Sequence, residues 1–301
     1  MNDPDELTDD VRHVERALSL LSSRPVRDTL YTLWEASGVQ LTEDELISAV
    51  PHSTETVRDC LEDLENVYVY APEQDMYKLL PSANLLFLRY LSLFSEENVT
   101  MNTRSVNGSC GRCDGELVGA YEDQVLTIKC NACDSLLYHL AFPPTEVAHR
   151  DPDGVFEAFE KRTRAQLWLV ANGICRWCVG PTSFELVDAE TDLEEDAELA
   201  HDVFVKHVCD RCGSYILTTV GEILLFHPAV IAFYHNNGID ILDRPLWEVD
   251  VCVDPEAVSV RSTGPWSLTV ELSCGDATRR LELDESLEIT ATQDEERSVN
   301  H

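Results

Sequence analysis

The chain has 301 residues, 44% of them apolar, which is enough for two or three packed modules and excludes wholesale disorder. Its 22 Lys and Arg stand against 56 Asp and Glu, a net charge of −34, so it offers little cationic surface to a polyanion. The N-terminus "MNDPDELTDD" lacks the positive charge and apolar core of a signal peptide, and runs such as "YILTTVGEILLF" are too short and interrupted to cross a bilayer. These features predict a cytoplasmic protein with no membrane partner.

The acids are spread along the whole chain, and only Lys78, Lys129, Lys161 and Lys206 are lysines. Self-repulsion on this scale is costly in dilute buffer, but at roughly 1 M salt the screening length falls to about 3 Å and the repulsion largely disappears. The pattern points to molar salt, as in halophilic archaea. An acidic decoy of nucleic acid or protein is the alternative reading of the charge.

After an acidic tail over 1–12, residues 13–100 carry a run of helix signals. "VRHVERALSLLSS" places Val14, Leu18 and Leu21 on one helical face, and "RPVRDTLYTLWEASG" starts near Pro25 and stops at Gly38. "TEDELISAV" opens on a capping box, Thr42 with Glu45. A tight "PHS" turn leads to Ser53, an N-cap residue, and to a helix whose Val57, Cys60, Leu61 and Leu64 share a core face. "VYVYAPEQDMYKLL" then reads as a β-hairpin, completing a winged helix-turn-helix order. The outward face of the second helix of the pair offers Thr54, Glu55, Arg58, Asp59 and Glu62, and Lys78 is the one base of the hairpin. Ser53, Thr54, Arg58 and Lys78 are therefore the candidate contacts to double-stranded DNA. Next, "SANLLFLRYLSLF" is apolar on too many sides for one small domain. The helix over Leu85–Phe94 is expected either to join two protomers or to dock on the first helix.

Eight of the eleven cysteines form CxxC pairs: Cys110 and Cys113, Cys130 and Cys133, Cys175 and Cys178, Cys209 and Cys212. Each pair can supply half of a tetrahedral zinc shell. Strand-like segments lie between the pairs: "ELVGAY" and "VLTIKC", then "SFELV" and "VFVKHV". The longer second gap is filled by "DAETDLEEDAELAHD" (Asp188 to Asp202), eight acids and no base, a solvated hairpin tip. Two zinc ribbons result, each followed by Phe, Pro and a helix closing on Asn-Gly, over 106–173 and 174–240. Two Zn(2+) per chain are expected, and a closed four-sulfur shell is structural rather than catalytic. Iron in the same shell, or CxxC redox chemistry, are the competing readings. Cys60, Cys252 and Cys274 are expected to be buried, and His139 and His207 to lie on hairpin surfaces.

From Pro245 the pattern alternates through "LWEVDVCVD", "VSVRS", "WSLTVELSC", "TRRLELD" and "SLEITAT", five strands of an antiparallel sheet over 245–292 with Trp247 and Trp266 on its buried face. A disordered tail is expected over 293–301. The fold class is α+β. Phosphate-loop, G-x-S-x-G and H-E-x-x-H motifs are absent from the sequence, so an enzyme is not expected.

On "RPVRDTLYTLWEA" and "VYVYAPEQDMYKLL", residues 13–94 resemble the ArsR-like winged-helix regulators of haloarchaea. The cysteine ribbons and "FHPAVIAFYHNNGID…PLWEV" resemble the C-terminal part of the same proteins, so the likeness covers nearly the whole chain. The resemblance implies a DNA-binding transcriptional regulator that dimerises through a terminal helix. The acidic helix from Ser53 to Glu65 departs from a DNA-binding pattern. Two further readings therefore stand: a zinc-stabilised adaptor whose degenerate winged helix binds the transcription machinery or another protein, and a metal or thiol sensor.

Overall fold

The structure, a computed structural model, describes residues 9–36, 38–93, 98–192 and 201–296. It separates into two compact units, Met1–Ser95 and Glu96–His301.

In the first unit α1 (Asp9–Leu20) and α2 (Arg24–Glu35) precede the short strand β1 (Leu41–Thr42), followed by α3 (Glu43–Ala49) and α4 (Thr54–Leu64). The hairpin β2 (Val69–Glu73) and β3 (Met76–Leu79) comes next, then α5 (Pro81–Leu93). The Thr42 hydroxyl accepts from the Glu45 backbone N–H at 3.2 Å while the Glu45 carboxylate accepts from the Thr42 N–H at 2.7 Å, so the predicted capping box starts α3. Antiparallel pairing in the order β1-β3-β2 ties the start of α3 to the wing. Val57, Cys60, Leu61 and Leu64 turn inward from α4 to meet Val26, Leu30 and Leu33 of α2 and Leu46 of α3. This is the winged helix-turn-helix architecture. The inner face of α5 docks within the unit, with Ala83 buried and Phe87 stacked on Trp34 of α2 at 5.9 Å. Leu85, Leu88 and Leu91 remain 61%, 49% and 55% exposed, an apolar row that this unit does not cover. Phe94, placed in that helix from the sequence, lies outside the described residues.

The second unit opens with a four-stranded meander, β4 (Met101–Ser109), β5 (Glu116–Glu122), β6 (Val125–Cys130) and β7 (Leu136–Ala141). Helices α6 (Pro144–His149) and α7 (Pro152–Ala171) follow. The second ribbon contains β8 (Thr182–Asp188), the short α8 (Ala189–Asp192), β9 (Val203–Cys209) and β10 (Tyr215–Thr219), paired in the order β10-β9-β8. Then come α9 (Val220–Leu224), α10 (Pro228–Asn236), a 3₁₀ turn at Leu246–Glu248, α11 (Asp250–Val253), and the sheet β11 (Val258–Thr263), β12 (Trp266–Cys274), β13 (Ala277–Asp284) and β14 (Ile289–Glu296) in sequential order.

The expected repeat extends to the helix ends. Both α7 and α10 begin on proline, Pro152 and Pro228, and both finish on an Asn whose amide donates back one turn, Asn172 to the Trp168 carbonyl and Asn237 to the Phe233 carbonyl. Gly173 and Gly238 follow at φ 73° and 79°, and the next residues, Ile174 and Ile239, donate to Leu169 and Tyr234. That is a Schellman stop, which needs a residue free to adopt positive φ.

Four expectations are corrected. Each ribbon sheet has a further strand after its second knuckle, β7 and β10, and the first also gains β4 in front, starting at Met101. The stretch "LWEVDVCVD" forms the 3₁₀ turn and α11 instead of a first strand, leaving four strands in the last sheet. Leu246, Trp247, Val249, Val251, Cys252 and Val253 are buried while Asp250 is exposed, so burial does not alternate residue by residue as it would along a half-exposed strand. Trp247 accordingly packs beside Tyr138 and Phe159 in the common core, while Trp266 is half-buried at the start of β12. Residues 293–296 continue β14 rather than a tail, because Arg279 on β13 holds Asp294 at 2.6 Å. Residues 193–200 of the acidic stretch and 297–301 lie outside the described residues.

One hydrophobic core runs from Met101 to Leu287 through both ribbons, α7, α9, α10, α11 and the last sheet. Gly221 of α9 lies so close to α11 that a Cβ there would run into the Val251 carbonyl.

Candidate metal centres

Each ribbon brings its two CxxC turns together at the same end of its hairpin. In the first, Cys110 accepts Asp114 on its carbonyl at 2.8 Å and donates its N–H to Gly115 at 2.9 Å; in the second, Cys175 does the same with Val179 and Gly180 at 3.1 and 2.8 Å. Across each site Cys130 donates to Ser135 and Cys209 to Ser214, at 3.0 and 2.9 Å. All four turns close through the left-handed region: Asp114 and Asp134 at φ 56°, Val179 at 61° and Gly213 at 69°. The turns aim the thiols inward, and the four ligand sulfurs of each group lie within 4.8 Å of one another.

The sulfur spacing is that of a metal shell. Cys110 to Cys133 and Cys175 to Cys212 measure 3.8 Å, and Cys113 to Cys130 and Cys178 to Cys209 measure 3.5 Å. A tetrahedron with Zn–S bonds of about 2.3 Å has edges of about 3.8 Å. Backbone N–H groups of Ala132 and Trp177 point at the Cys130 and Cys175 sulfurs at 3.3 and 3.4 Å, and the Ser214 hydroxyl stands 3.1 Å from Cys212. Such donors stabilise thiolates.

The electrostatics agree. The Ser135 hydroxyl and N–H hold the Cys133 thiol down to about 6. Burial pushes Cys175 up, but the Cys178 N–H and the Ser214 hydroxyl outweigh it and leave that thiol at about 6. For Cys113 the Gly115 N–H favours the thiolate, yet crowding by Cys133 and Cys130 prevails and lifts it to about 12; Cys178 is lifted likewise, against the Gly180 N–H, by Cys209. Four sulfurs this close need a cation among them if all are to carry charge. Both groups therefore fit one Zn(2+) each, two per chain.

The two histidines near the knuckles are not part of either cluster. His139 is exposed as expected, with Nδ1 2.9 Å from the Thr127 hydroxyl. His207 corrects its expectation: it is buried, 3.3 Å from the Thr218 hydroxyl, and burial pushes it down to about 4, so it is neutral. Cys60 and Cys252 are buried, and Cys274 is half-buried at the end of β12.

On the first unit, the Ser53 hydroxyl is spent as the N-cap of α4, accepting the Thr56 N–H at 3.2 Å. Thr54 and Arg58 are exposed and Lys78 is half-buried on β3. Arg58 does not stand free: its Nε lies 2.6 Å from Glu43 Oε1, with Asp44 and Asp75 adding to the negative field. No local spacing signals this pairing, because Glu43 lies on the preceding helix, brought alongside by the turn.

The molecule is thus a winged-helix protein whose second unit is built on two tetracysteine ribbons. Over residues 107–289 it matches the family model described as a domain of unknown function, DUF7351, and the chain belongs to that family. Comparisons with curated proteins and with solved structures each return no match. Among the described residues no helix is long and apolar enough to cross a membrane.

Proposed function

We propose that the chain is a DNA-binding transcriptional regulator working in a molar-salt cytoplasm, with the winged helix addressing double-stranded DNA and the zinc-ribbon unit providing assembly or partner contact. The observation that carries this reading is the arrangement of the first unit: α4 is the second helix of a helix-turn-helix, with Thr54, Glu55, Arg58, Asp59 and Glu62 exposed along its outer side. High salt removes most of the counterion-release contribution for any protein, so hydroxyl, backbone and groove contacts carry a larger share there. The ArsR-like resemblance supports the same assignment, and the uncovered row Leu85, Leu88 and Leu91 suits a homodimer contact. Retention of genomic duplex fragments in molar KCl tests it: sequence-selective binding that Arg58→Ala weakens is the expected result, and uniform failure across fragments overturns it.

The Arg58–Glu43 pair favours a second reading, an adaptor whose winged helix engages the transcription machinery or another protein. A face with its one base already neutralised suits a basic protein surface better than phosphate. Co-purification of such a partner together with failed duplex binding selects this reading. The sensor reading has less support, since four sulfurs complete each shell.

A further inference from the structure

A cavity of about 320 Å³ lies between the two ribbons, with no cysteine in its lining. Strand β7 forms one wall and β10 the other; each is the outermost strand of its own sheet, so both walls are free sheet edges. Leu140, Leu167, Phe204 and Leu217 make the lining largely apolar.

Glu222 and Arg176, together with His139, bring charge-bearing side chains into this lining. Glu222, from α9, is fully engaged by its own wall: the Tyr138 hydroxyl donates to Oε1 at 2.8 Å and the Thr219 N–H to Oε2 at 2.8 Å. Arg176 is different. It is half-buried, its Nη1 meets Gln166 Oε1 at 3.4 Å, and its guanidinium lies 5.0 Å from the Trp177 ring centre. It has no carboxylate within 4.0 Å among the described residues, in a chain where acids outnumber bases 56 to 22. The comparable Arg164 holds Glu160 at 2.6 Å. A half-buried guanidinium beside an apolar cavity, with the Cys175 sulfur as its neighbouring negative charge, is a fork for a carboxylate that the described residues do not provide.

We infer that this cavity binds a small apolar carboxylate, an organic acid of about ten non-hydrogen atoms given roughly 30 Å³ apiece. Its carboxylate pairs with Arg176 and its hydrocarbon lies against Leu140, Leu167, Phe204 and Leu217. The site does not depend on what the winged helix binds. Because Arg176 also sits within a zinc knuckle, next to Cys175, zinc content has to be read alongside binding.

The test is calorimetric titration of the zinc-loaded full chain in molar KCl with octanoate, octanol and octylamine as probes. Octanoate should saturate at one per chain and bind about tenfold more tightly than octanol, the worth of one charge-assisted contact, with octylamine weakest. Arg176→Gln should weaken octanoate about tenfold, leave octanol unchanged and keep two zinc per chain. Leu140→Trp, which fills the cavity, should abolish binding of both. Absent saturation, equal binding of acid and alcohol, or unchanged octanoate binding by Arg176→Gln overturns the inference. Should Arg176→Gln shed zinc, Leu140→Trp decides, and undiminished octanoate binding there overturns it equally.

Discussion

Arg58 Nε stands 2.6 Å from Glu43 Oε1, so the base on the outer side of α4 is held by the first residue of α3. Any phosphate must compete with that carboxylate. Glu43→Gln should release the guanidinium, raise duplex affinity and steepen the dependence of log affinity on log salt by about 0.9, the signature of one added phosphate contact. Arg58→Ala should do the reverse, and since Arg58 is exposed and Glu43 half-buried, either change should shift the melting temperature only slightly. Fluorescence anisotropy over a KCl series reads both effects; slopes that do not respond to either substitution favour the adaptor reading.

The common core of the second unit makes the two metal sites interdependent. Removing zinc from one ribbon exposes residues that the other ribbon, α7 and the last sheet also pack against. Structural zinc contributes on the order of 10 kcal/mol, comparable to the whole stability of a domain. Metal analysis should find two zinc in the native chain. Cys110→Ser or Cys209→Ser should lower that number and also abolish the near-ultraviolet circular dichroism of the entire unit. A variant that loses one zinc yet keeps that signal would show the ribbons to be independent, and iron in place of zinc would change the metal assignment.

Local chemistry made much of this molecule readable. The capping box at Thr42, the N-cap at Ser53, the Asn-Gly stops and the CxxC turns are short-range devices, and each sits where its spacing places it. Position within the tertiary core was less readable. β10 and α9 run together as "YILTTVGEILLF" because a buried strand and a buried helix turn are both continuously apolar, and the break between them is the Thr219 cap with Glu222, which looks like surface chemistry. α11 imitates a strand because Asp250 and Asp254 bracket three buried residues in a two-residue rhythm. His207 and Arg176 depend on which side of a ribbon faces its sequence repeat, and no local pattern encodes that.

Val179 is a β-branched residue at φ 61°, at the position where the other three knuckles use Asp or Gly. It is 74% exposed, so its side chain gains little by burial. A left-handed conformation costs such a residue about 1–2 kcal/mol. Val179→Gly should therefore stabilise the unit by about 1 kcal/mol, after allowing for the greater freedom glycine has when unfolded. Urea denaturation of the zinc-loaded chain measures this. A loss of stability would mean that Val179 packs against something the isolated chain does not show.

Glu222 should give the second unit an inverted pH response. Burial is the dominant influence on its carboxyl, partly offset by the Thr219 N–H and the Tyr138 hydroxyl, and lifts it from 4.5 to about 7. A raised acid favours the folded state when protonated. Its contribution is therefore fully present below about pH 4.5, declines as the pH climbs toward 7, and is gone above it. The span corresponds to about 3 kcal/mol. Gln can accept from Thr219 and donate to the Tyr138 oxygen without ever carrying charge, so Glu222→Gln keeps both contacts and removes the titration. Other carboxylates are common to both proteins and cancel in the difference. Denaturation in molar KCl should find the stability of Glu222→Gln relative to the native chain rising by about 3 kcal/mol between pH 4.5 and 8. A difference that stays flat across that range would show that Glu222 is ionised in the core at no cost.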